Sequence, residues 1–377
     1  MMTAGSIPEL TRKIRREVSR LGFAGMGVAR AGPLPRAERF DAWLENGLHG
    51  RMEYIERQAE KRRDPRIVLP DARTVLILAV NYYDGSIPCD TPLKGRISRY
   101  ARCGDYHPVV KSRLLRLFSF IRRMLPSVKG VCHVDTGPVM EKVWGAESAL
   151  GWMGKNTTLI ARGGGSWFFI GVILLDAVLE YDRKEKDFCG SCRRCIDACP
   201  TGALDVPYVL DARRCISRLT VECRGVLPRP YRAMMGNRIF GCDDCQEACP
   251  WNRFARPGPD AALVFRDDCA APDLAELAAL TGEEFALRFT NSPIRRVTRD
   301  GFVRNCVVAL GNSGRDESTP ALANAMRDAS SLVRIHAAWS LGRIASPASH
   351  RVLREVRAYE TDPLVLEEID CALAGGN

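Results

Sequence analysis

The sequence predicts three consecutive parts: a layered α/β (or α+β) part over residues 1–180, a small cysteine-rich part over 181–256, and an α-helical repeat over 270–377. Three observations predict this division. Apolar patterns typical of strands and of helices alternate through the first part, two dense cysteine runs follow it, and a motif that ends in Leu-Gly recurs in the tail. A Pro-Gly-Pro linker at 257–259 precedes the tail.

The first part opens with a helix and then alternates strands with helices. Leu10, Ile14 and Val18 recur every four residues, which predicts one helical face across residues 7–21. Continuous aliphatic runs favour buried strands, and amphipathic runs favour helices. The predicted strands are 25–28, 74–80, 131–134 and 167–178, and the further helices are 37–44, 109–124 and 139–150.

Polar residues follow two of these elements. Asp135 comes directly after the strand 131–134, and Lys155 and Asn156 lie in the turn after the next helix. In open α/β sheets ligands bind beyond the carboxyl ends of strands, so these side chains are candidates for a site. A helix N-cap is the alternative role for Asp135. Neither a dinucleotide-binding nor a phosphate-binding glycine motif occurs, so the sequence carries no nicotinamide or ATP signature.

The first cysteine run has the spacing Cys-x₂-Cys-x₂-Cys-x₃-Cys-Pro between residues 189 and 200. This is the bacterial ferredoxin pattern, in which three thiolates bind one 4Fe–4S cluster and the cysteine before proline binds its neighbour. The second run, between residues 242 and 250, lacks the first cysteine because Ile239 occupies that position. Residues 181–256 are therefore predicted to form a ferredoxin-like domain with two 4Fe–4S clusters.

In the ferredoxin pattern the last cysteine of each run binds the other cluster, and this rule assigns the cysteines to the two clusters. Cys215 and Cys223, between the runs, are candidates for the missing thiolate, and we choose Cys215. Zinc is the alternative for paired Cys-x₂-Cys, but the Cys-Pro endings have no role in a zinc knuckle. Cluster one takes Cys189, Cys192, Cys195 and Cys249, and cluster two takes Cys199, Cys215, Cys242 and Cys245.

The tail contains a short helical repeat. The segment 302–311 resembles 332–342, their Leu-Gly pairs lie 31 residues apart, and 321–326 supplies an amphipathic helix between them. This pattern predicts a HEAT-like stack of helical hairpins, which binds partners along one face. A solvated face is the alternative. The candidates for contact with nucleic-acid phosphates are Arg295, Arg296, Arg299, Arg304 and Arg334.

Properties of the whole chain restrict the class of protein. Of 377 residues, 46% are hydrophobic, which suffices for a large core. The net charge of +10 and a pI near 9.0 favour a polyanionic partner, with nucleic acid first, over a solvated basic surface. Fifteen cysteines predict a reducing compartment, and no apolar run has the length of a signal peptide or a membrane span. We expect a soluble cytoplasmic protein that does not bind membranes.

Two clusters transfer electrons one at a time and must deliver them to a cofactor or a substrate. The first part of the chain is larger than a simple electron carrier requires, so we expect a second redox centre there. Flavin and cobalamin are both suited because both accept single electrons. The sequence leaves the electron donor unidentified.

The motifs occur in an order that resembles one family. In chain order they are Arg57 to Pro65, Ser98-Arg99-Tyr100, Gly104 to His107, Val134 to Glu141, Gly151 to Asn156, the ferredoxin run, Arg214 to Thr220, Gly236-Asn237-Arg238, Gly241 to Cys245, and the HEAT-like tail. This order, over essentially the whole chain, is similar to that of the epoxyqueuosine reductases. Related reductive dehalogenases share the cobalamin and ferredoxin modules but lack this tail and this cysteine layout.

The resemblance implies that cobalamin, fed with electrons by the clusters, reduces the epoxide of epoxyqueuosine at the wobble position of a tRNA to the alkene of queuosine. It implies that residues 1–180 bind cobalamin and that Asp135 donates a proton. None of the five histidines lies in an Asp-x-His-x-x-Gly pattern, so we expect no protein ligand on the cobalt and a structural role for His107 and His133. It also supports Cys215 as the last cluster ligand. The residues implied to contact cobalamin are Arg57, Ser98, Asp135, Lys155, Asn156, Ser217, Thr220, Cys242 and Asp243.

We further expect the anticodon stem-loop to bind the basic HEAT-like face, and the protein to be a monomer. Two other functions are compatible with the motifs. A cobalamin-dependent reductase of a small organic molecule, similar to a dehalogenase, would need no RNA. An electron-transfer adaptor would dock to a partner through its repeats. Corrinoid binding separates both enzymes from the adaptor, and activity on tRNA separates the two enzymes.

Overall fold

The computed structural model describes residues 6–87, 91–258 and 260–375. Its helices are, in chain order, α1 (Ser6–Arg20), α2 (Ala37–Glu45), α3 (Glu53–Glu56), α4 (Ala59–Arg63), α5 (Tyr106–Met124), α6 (Glu141–Ala146), α7 (Arg194–Asp197), α8 (Ile216–Val221), α9 (Arg229–Arg232), α10 (Asp244–Glu247), α11 (Leu274–Ala278), α12 (Gly282–Arg288), α13 (Arg299–Asn312), α14 (Thr319–Ala325), α15 (Ser331–Ile344), α16 (Pro347–Arg357) and α17 (Pro363–Leu373). Its strands are β1 (Gly25–Arg30), β2 (Thr74–Asn81), β3 (Arg96–Ile97), β4 (Gly130–Val134), β5 (Trp152–Met153), β6 (Leu159–Ile160), β7 (Phe168–Leu175) and β8 (Arg238–Phe240).

The chain forms two compact units, each built from three segments. The first unit consists of Met1–Gly85, Asp105–Arg213 and Asp244–Val264. The second consists of Ser86–Gly104, Arg214–Asp243 and Phe265–Asn377. Within the described parts of the chain, no helix combines the length and the apolar character needed to cross a membrane.

The first unit is built on a four-stranded sheet in the order β1-β2-β7-β4, and every neighbouring pair is antiparallel. The aliphatic strand β2 is a central strand, and only its last residue is not fully buried. Because the strands are antiparallel, the α+β alternative describes this sheet. The rule for parallel α/β sheets, which singled out Asp135 in the sequence, therefore does not apply, although Asp135 does lie beyond the end of β4.

Helices cover both faces of this sheet at positions where glycine permits close approach. A Cβ at Gly171 of β7 would lie 2.9 Å from Leu114 of α5. On the opposite face, a Cβ at Gly27 of β1 would lie 2.0 Å from the Ser148 hydroxyl after α6. Each buried aliphatic side chain contributes roughly 1.5–3 kcal/mol, so the sheet and its helices form a firm support for the loops at the strand ends.

The predicted helix 139–150 is shorter in the structure. Helix α6 covers only Glu141–Ala146, and its N-cap residue is Met140. The chain between β4 and this helix is a loop, so Asp135 is not a helix cap and the alternative role considered for it is excluded.

In the second unit, helices α13 and α15 lie at the centre. Residues Gly301 to Gly311 of α13 are all buried. The two helices approach so closely that a Cβ at Gly311 would lie 2.6 Å from the Ser340 side chain, whose hydroxyl donates to the Val307 carbonyl at 2.8 Å. These helices are the two copies of the repeat predicted from the sequence, and α17 packs against α15.

Candidate active site and cluster ligands

Four cysteines of the first unit line one cavity: Cys189, Cys192, Cys195 and Cys249. A backbone hydrogen bond of 3.0 Å closes the turn between the first two, and the short helix α7 carries the third. Burial, followed by the charges of the neighbouring cysteines, raises the pKa of the Cys195 thiol to about 11. Four thiols around one cavity are the donor set of a 4Fe–4S cluster, whose iron would offset the repulsion between thiolates.

Lys155 and Asn156 line the same cavity. Lys155 Nζ donates hydrogen bonds to the carbonyls of Gly190 (2.6 Å) and Cys192 (2.9 Å). Asn156 Nδ2 donates to the Cys245 carbonyl at 3.2 Å. Both residues therefore hold the cysteine loops in place, and hydrogen bonds and positive charge beside a cluster tune its potential. Their contact with cobalamin stays a prediction.

The other predicted cluster ligands are Cys199, Cys215, Cys242 and Cys245. In the first unit, Cys199 Sγ accepts a hydrogen bond from a backbone N–H at 3.3 Å, and Cys245 lies in α10. In the second unit, Cys215 directly precedes α8 and Cys242 follows β8. The choice of Cys215 over Cys223 stays a prediction.

Asp135 follows β4, and its side chain is 43% exposed. Its backbone lies in the left-handed region, with φ of 56°, which is a strained conformation for a residue other than glycine. The Tyr106 hydroxyl donates to Asp135 Oδ2 at 3.2 Å, and His107 Nε2 lies 3.5 Å from the same oxygen. Asp105 caps α5 and lies 2.6 Å from His107 Nδ1. The first turn of α5 thus brings two rings to the Asp135 carboxyl.

Glu141, the first residue of α6, is a second carboxyl near Asp135. Its Oε1 is buried without a hydrogen-bond partner among the residues that the structure describes. Burial raises the pKa of this carboxyl to about 8, against a hydrogen bond with its own backbone. The charge of Asp135 adds to the rise, and the charges of Arg62 and Lys142 oppose it. Burial therefore favours the neutral form of this carboxyl over its ionised form, compared with an ordinary glutamate.

A buried polar network in the second unit contains three residues predicted to contact cobalamin. Ser98 Oγ donates to Asp243 Oδ1 at 2.5 Å, and the Arg99 N–H donates to Oδ2 at 2.8 Å. Burial raises the pKa of Asp243, although both hydrogen bonds oppose the shift. Thr220 Oγ1 accepts the N–H of Gly241 at 2.9 Å, and a Cβ at Gly241 would lie 2.5 Å from the Ser98 side chain. These contacts fix the turn that follows β8.

Two predicted cofactor residues lie outside these groups. Arg57 is exposed at the end of α3. Ser217 is half-buried in α8, where its carbonyl accepts a hydrogen bond from Thr220 Oγ1 at 3.2 Å. The roles assigned to both residues stay predictions.

Comparison with known proteins identifies the family. The family model described as epoxyqueuosine reductase QueG, DUF1730, matches residues 62–136. The 4Fe-4S double cluster binding domain matches residues 188–252, and HEAT repeats match residues 302–374. A curated relative from Xanthomonas campestris pv. campestris, named epoxyqueuosine reductase, is 39% identical over 337 residues, which cover 88% of this chain and 95% of the relative. The chain belongs to the epoxyqueuosine reductase family.

Solved structures of epoxyqueuosine reductases share the fold. One, with an epoxyqueuosine-modified tRNA-Tyr stem loop, has a TM-score of 0.89 at 28% identity and covers 98% of this chain and 99% of its own. Another, from Bacillus subtilis, has its catalytic aspartate loop swung out of the active site; its TM-score is 0.89 at 27% identity, with the same coverage. The predictions of a double 4Fe–4S cluster domain and of HEAT-like repeats are confirmed.

In this member of the epoxyqueuosine reductase family, the predicted basic face is smaller than the sequence suggested. Arg295 and Arg296 are exposed. Arg299 forms an ion pair of 2.6 Å with an aspartate, and Arg334 forms one of 2.7 Å with a glutamate. Each of these pairs reduces the charge available to a phosphate, so the exposed arginines of the predicted set are its first two.

The position of Arg304 contradicts the prediction that it contacts nucleic-acid phosphates. It is fully buried, and its guanidinium donates to the carbonyls of Leu219 (3.3 Å), Cys223 (3.0 Å) and Gly225 (2.7 Å). A buried guanidinium with these partners presents no surface to RNA. It holds the segment after α8 instead.

Sequence reasoning included Tyr106 in the motif Gly104 to His107 but gave it no role, and it treated His107 as structural. The available signal was Asp105, a helix-capping residue directly before two aromatic residues, because a cap fixes where the first turn points. Glu141 gave no signal, since burial without a partner has no sequence pattern.

Proposed function

We propose that this chain reduces epoxyqueuosine at the wobble position of a tRNA to queuosine, the last step of queuosine biosynthesis. The observation that carries this conclusion is similarity over 98% of the chain to an epoxyqueuosine reductase structure that contains an epoxyqueuosine-modified tRNA stem loop. The net charge of +10 supports a polyanionic substrate. A tRNA substrate also favours a cytoplasmic location.

The reaction sets the requirements of the site. An epoxide becomes an alkene when its oxygen leaves as water, which consumes two electrons and two protons. The clusters pass electrons singly, and an unidentified donor reloads them. In our assignment, cluster one is held by Cys189, Cys192, Cys195 and Cys249, and cluster two by Cys199, Cys215, Cys242 and Cys245.

We assign the final electron carrier to cobalamin, which when bound supplies a cobalt centre able to reduce carbon. The rim of a corrin carries carboxamide groups, which hydroxyl, amide, ammonium and guanidinium groups can bind. Ser98, Lys155 and Asn156 carry groups of this kind. In this structure Ser98 is hydrogen-bonded to Asp243, and Lys155 and Asn156 are hydrogen-bonded to the cysteine loops. The residues assigned to hold the corrin are Arg57, Ser98, Asp135, Lys155, Asn156, Ser217, Thr220, Cys242 and Asp243.

Asp135 is assigned to protonate the epoxide oxygen as its bond to carbon opens. Opening the ring places negative charge on that oxygen, and a positioned acid typically accelerates such a step by roughly 10²–10⁴-fold. The partial exposure of the carboxyl allows a substrate to approach, and the Tyr106 hydrogen bond orients it. The Bacillus subtilis reductase supports this assignment because its catalytic loop also carries an aspartate.

Arg295 and Arg296 are assigned to the anticodon stem-loop, since both are exposed and cationic. We keep the three-part division: cobalamin-binding residues 1–180, ferredoxin-like residues 181–256 and the HEAT-like tail 270–377. The active form is proposed to be a monomer.

Anaerobic purification, iron and cobalt analysis and an assay on epoxyqueuosine-containing tRNA test this function. We expect about eight irons per chain, corrin binding and queuosine in the product. Eight irons without corrin binding would favour the electron-transfer adaptor. Turnover of small epoxides but none of tRNA would favour the small-molecule reductase.

Asp135→Asn tests the acid. It should keep the iron and corrin content of the wild type and lower turnover by roughly 10²–10⁴-fold. Asp71→Asn is the matched control, because Asp71 is also exposed and its backbone also lies in the left-handed region, with φ of 65°. Wild-type turnover in Asp135→Asn would remove Asp135 from the mechanism.

A further inference from the structure

A row of aromatic rings lies beside the cavity of cluster one, within the first unit. Phe188 directly precedes Cys189, and Trp251 lines the cavity itself. The ring centroids of Phe188 and Trp251 are 5.7 Å apart, and the centroid of Trp251 lies at the same distance from that of Phe254. Three rings therefore run in contact from the first ligand loop to the segment after Cys249.

An arginine lies over each end of this row. The guanidinium carbon of Arg162 lies 5.4 Å from the centroid of the Phe188 ring. The guanidinium carbon of Arg253 lies 4.6 Å from the centroid of the Phe254 ring. Both arginines are exposed, as is 39% of Phe254, whereas Phe188 and Trp251 are half-buried. The row therefore presents two positive charges, each held over a ring, and one open ring to the solvent.

The first ligand loop adds positive charge to this surface. Arg193 and Arg194, between the second and third cysteines of the first run, are both exposed. Two exposed carboxylates offset part of this charge. Asp187 accepts the N–H of Cys189 at 2.7 Å, and Asp197 lies 3.7 Å from Arg193. We call this positively charged surface the cluster-one rim, and its members are Arg162, Phe188, Arg193, Arg194, Arg253 and Phe254.

The predicted ligands of cluster one all belong to the first unit, and each is half-buried. Electrons cross protein only over short distances, so a donor to this cluster must contact the surface beside it. We propose that the cluster-one rim is the docking surface for a small acidic electron-carrier protein whose redox group is a flavin. In each encounter the fully reduced flavin of the carrier loses one electron and cluster one gains it. No bond forms or breaks, and no proton moves. The inference rests on the proposed function, which leaves the electron donor unidentified.

The composition of the rim fits such a partner. Opposite charges steer two proteins together and orient them, and aromatic residues and arginine are enriched in protein interfaces. Encounters between redox proteins bury little surface, so a small rim suffices. The planar, apolar edge of a flavin can pack against the open ring of Phe254, and Arg253 lies beside that ring to meet an acidic neighbour.

RNA is the other polyanion that could bind here, because bases stack on exposed rings and arginines bind phosphates. The position of the rim favours the carrier. Phe188 directly precedes a predicted ligand of cluster one, and Arg193 and Arg194 lie between two others. An RNA molecule bound on these residues would cover the surface through which electrons reach the cluster.

Calorimetric titration of the anaerobic holoenzyme with oxidised flavodoxin, an acidic flavin carrier, tests the docking surface without turnover. Changing both Arg162 and Arg253 to Glu should weaken binding by roughly tenfold or more at low salt and flatten its salt dependence. Phe254→Ala should weaken it by roughly twofold to tenfold, because the contact of the ring is lost. Arg123→Glu is the matched control, since Arg123 is also exposed and lies 5.5 Å from the ring centroid of Phe120, but it belongs to α5, which carries no predicted cluster ligand.

Absence of flavodoxin binding by the wild type, or equal binding by the wild type and the double variant, would overturn the proposal. Weakened tRNA binding in the double variant together with unaltered flavodoxin binding would assign the rim to RNA instead.

Stopped-flow reduction of the clusters by reduced flavodoxin, without tRNA, measures the consequence. The rate should fall in the double variant by roughly the same factor as the affinity, whereas reduction by dithionite, which needs no docking surface, should not change. If dithionite also reduced the double variant slowly, Phe254→Ala would decide, because it changes no charge. An acidic ferredoxin that reduced the wild type as fast as flavodoxin, with the same loss in Phe254→Ala, would overturn the choice of a flavin carrier.

The source of electrons separates this proposal from the proposed function. The double variant should turn over epoxyqueuosine-containing tRNA at the wild-type rate with dithionite and slowly with flavodoxin. Wild-type rates from both reductants in the double variant would overturn the docking surface alone. A wild type whose clusters are reduced by flavodoxin, but which turns over no tRNA with either reductant, would overturn the proposed function and leave the docking surface in place.

Discussion

Replacing Glu141 by glutamine should change how the stability of this protein depends on pH. The carboxyl has a pKa of about 8 in the folded protein and an ordinary value of 4.5. Between these values the folded state keeps a proton that the unfolded state releases. The free energy of unfolding therefore decreases as the pH rises from 4.5 and levels off above 8. A difference of about 3.5 pKa units, at about 1.36 kcal/mol each, makes the decrease at most about 5 kcal/mol.

Comparing the wild type with Glu141→Gln isolates the contribution of the Glu141 carboxyl to the pH dependence of stability. Burial lowers the pKa values of His133 and His336, so their contribution to stability increases as the pH rises toward 6.5 and opposes the effect of Glu141. Both histidines are present in Glu141→Gln, but the glutamine cannot ionise. The variant should therefore gain up to about 5 kcal/mol relative to the wild type between about pH 5 and pH 8.

Urea unfolding of the anaerobic holoenzyme, followed at matched pH values, provides the assay, because a shift of the midpoint at constant slope reports a change in stability. Glu147→Gln should follow the wild type at every pH, since its carboxylate lies in a half-buried surface ion pair. A stability difference between wild type and Glu141→Gln that stays constant across the range would mean that the folded carboxyl ionises as it does in water. That result would refute the reasoning.

Other substitutions test the remaining parts of the structure. Arg304→Met should lower the free energy of unfolding, measured in urea, by roughly 2–5 kcal/mol because it leaves buried carbonyls without donors. The folded fraction should keep its tRNA affinity. A stable variant with weakened tRNA binding would show instead that Arg304 contacts a phosphate. Cys215→Ala should lose about half of the iron and Cys223→Ala none, and the reverse pattern would reassign cluster two. Changing Arg295 and Arg296 to Glu should weaken tRNA binding and flatten its salt dependence, whereas an unchanged slope would move the RNA site elsewhere.

Side-chain periodicity predicted most of the elements. The aliphatic run of β2 and the Leu-Gly repeats of α13 and α15 are visible in the sequence because burial on both faces of a strand, or on all sides of a helix, dictates residue type. Periodicity does not record which strands pair. Strand β2 pairs with β7, which is distant in sequence, so the antiparallel order of the sheet required the structure.

The sequence predicted the cluster ligands but not the burial of Arg304 or the environment of Glu141, and the reasons are physical. Cluster ligands follow a fixed spacing because the geometry of the cluster demands it, so the cysteines were visible in the sequence. Arg295 and Arg304 look alike in a sequence, yet the first is exposed and the second donates to buried carbonyls. The environment of Glu141 depends on what surrounds one carboxyl oxygen in three dimensions. No local pattern encodes that.

The interleaving of the two compact units affects how the protein is synthesised. Segments Ser86–Gly104 and Arg214–Asp243 leave the ribosome before Phe265–Asn377, with which they form the second unit. Ile97 and Phe240 of these early segments share a core with Phe302 of the late one. A nascent chain must therefore hold these apolar side chains exposed until the C-terminal helices emerge. A fragment that stops before residue 265 would keep them exposed, so the tail protects the newly made chain from aggregation as well as forming part of the finished protein.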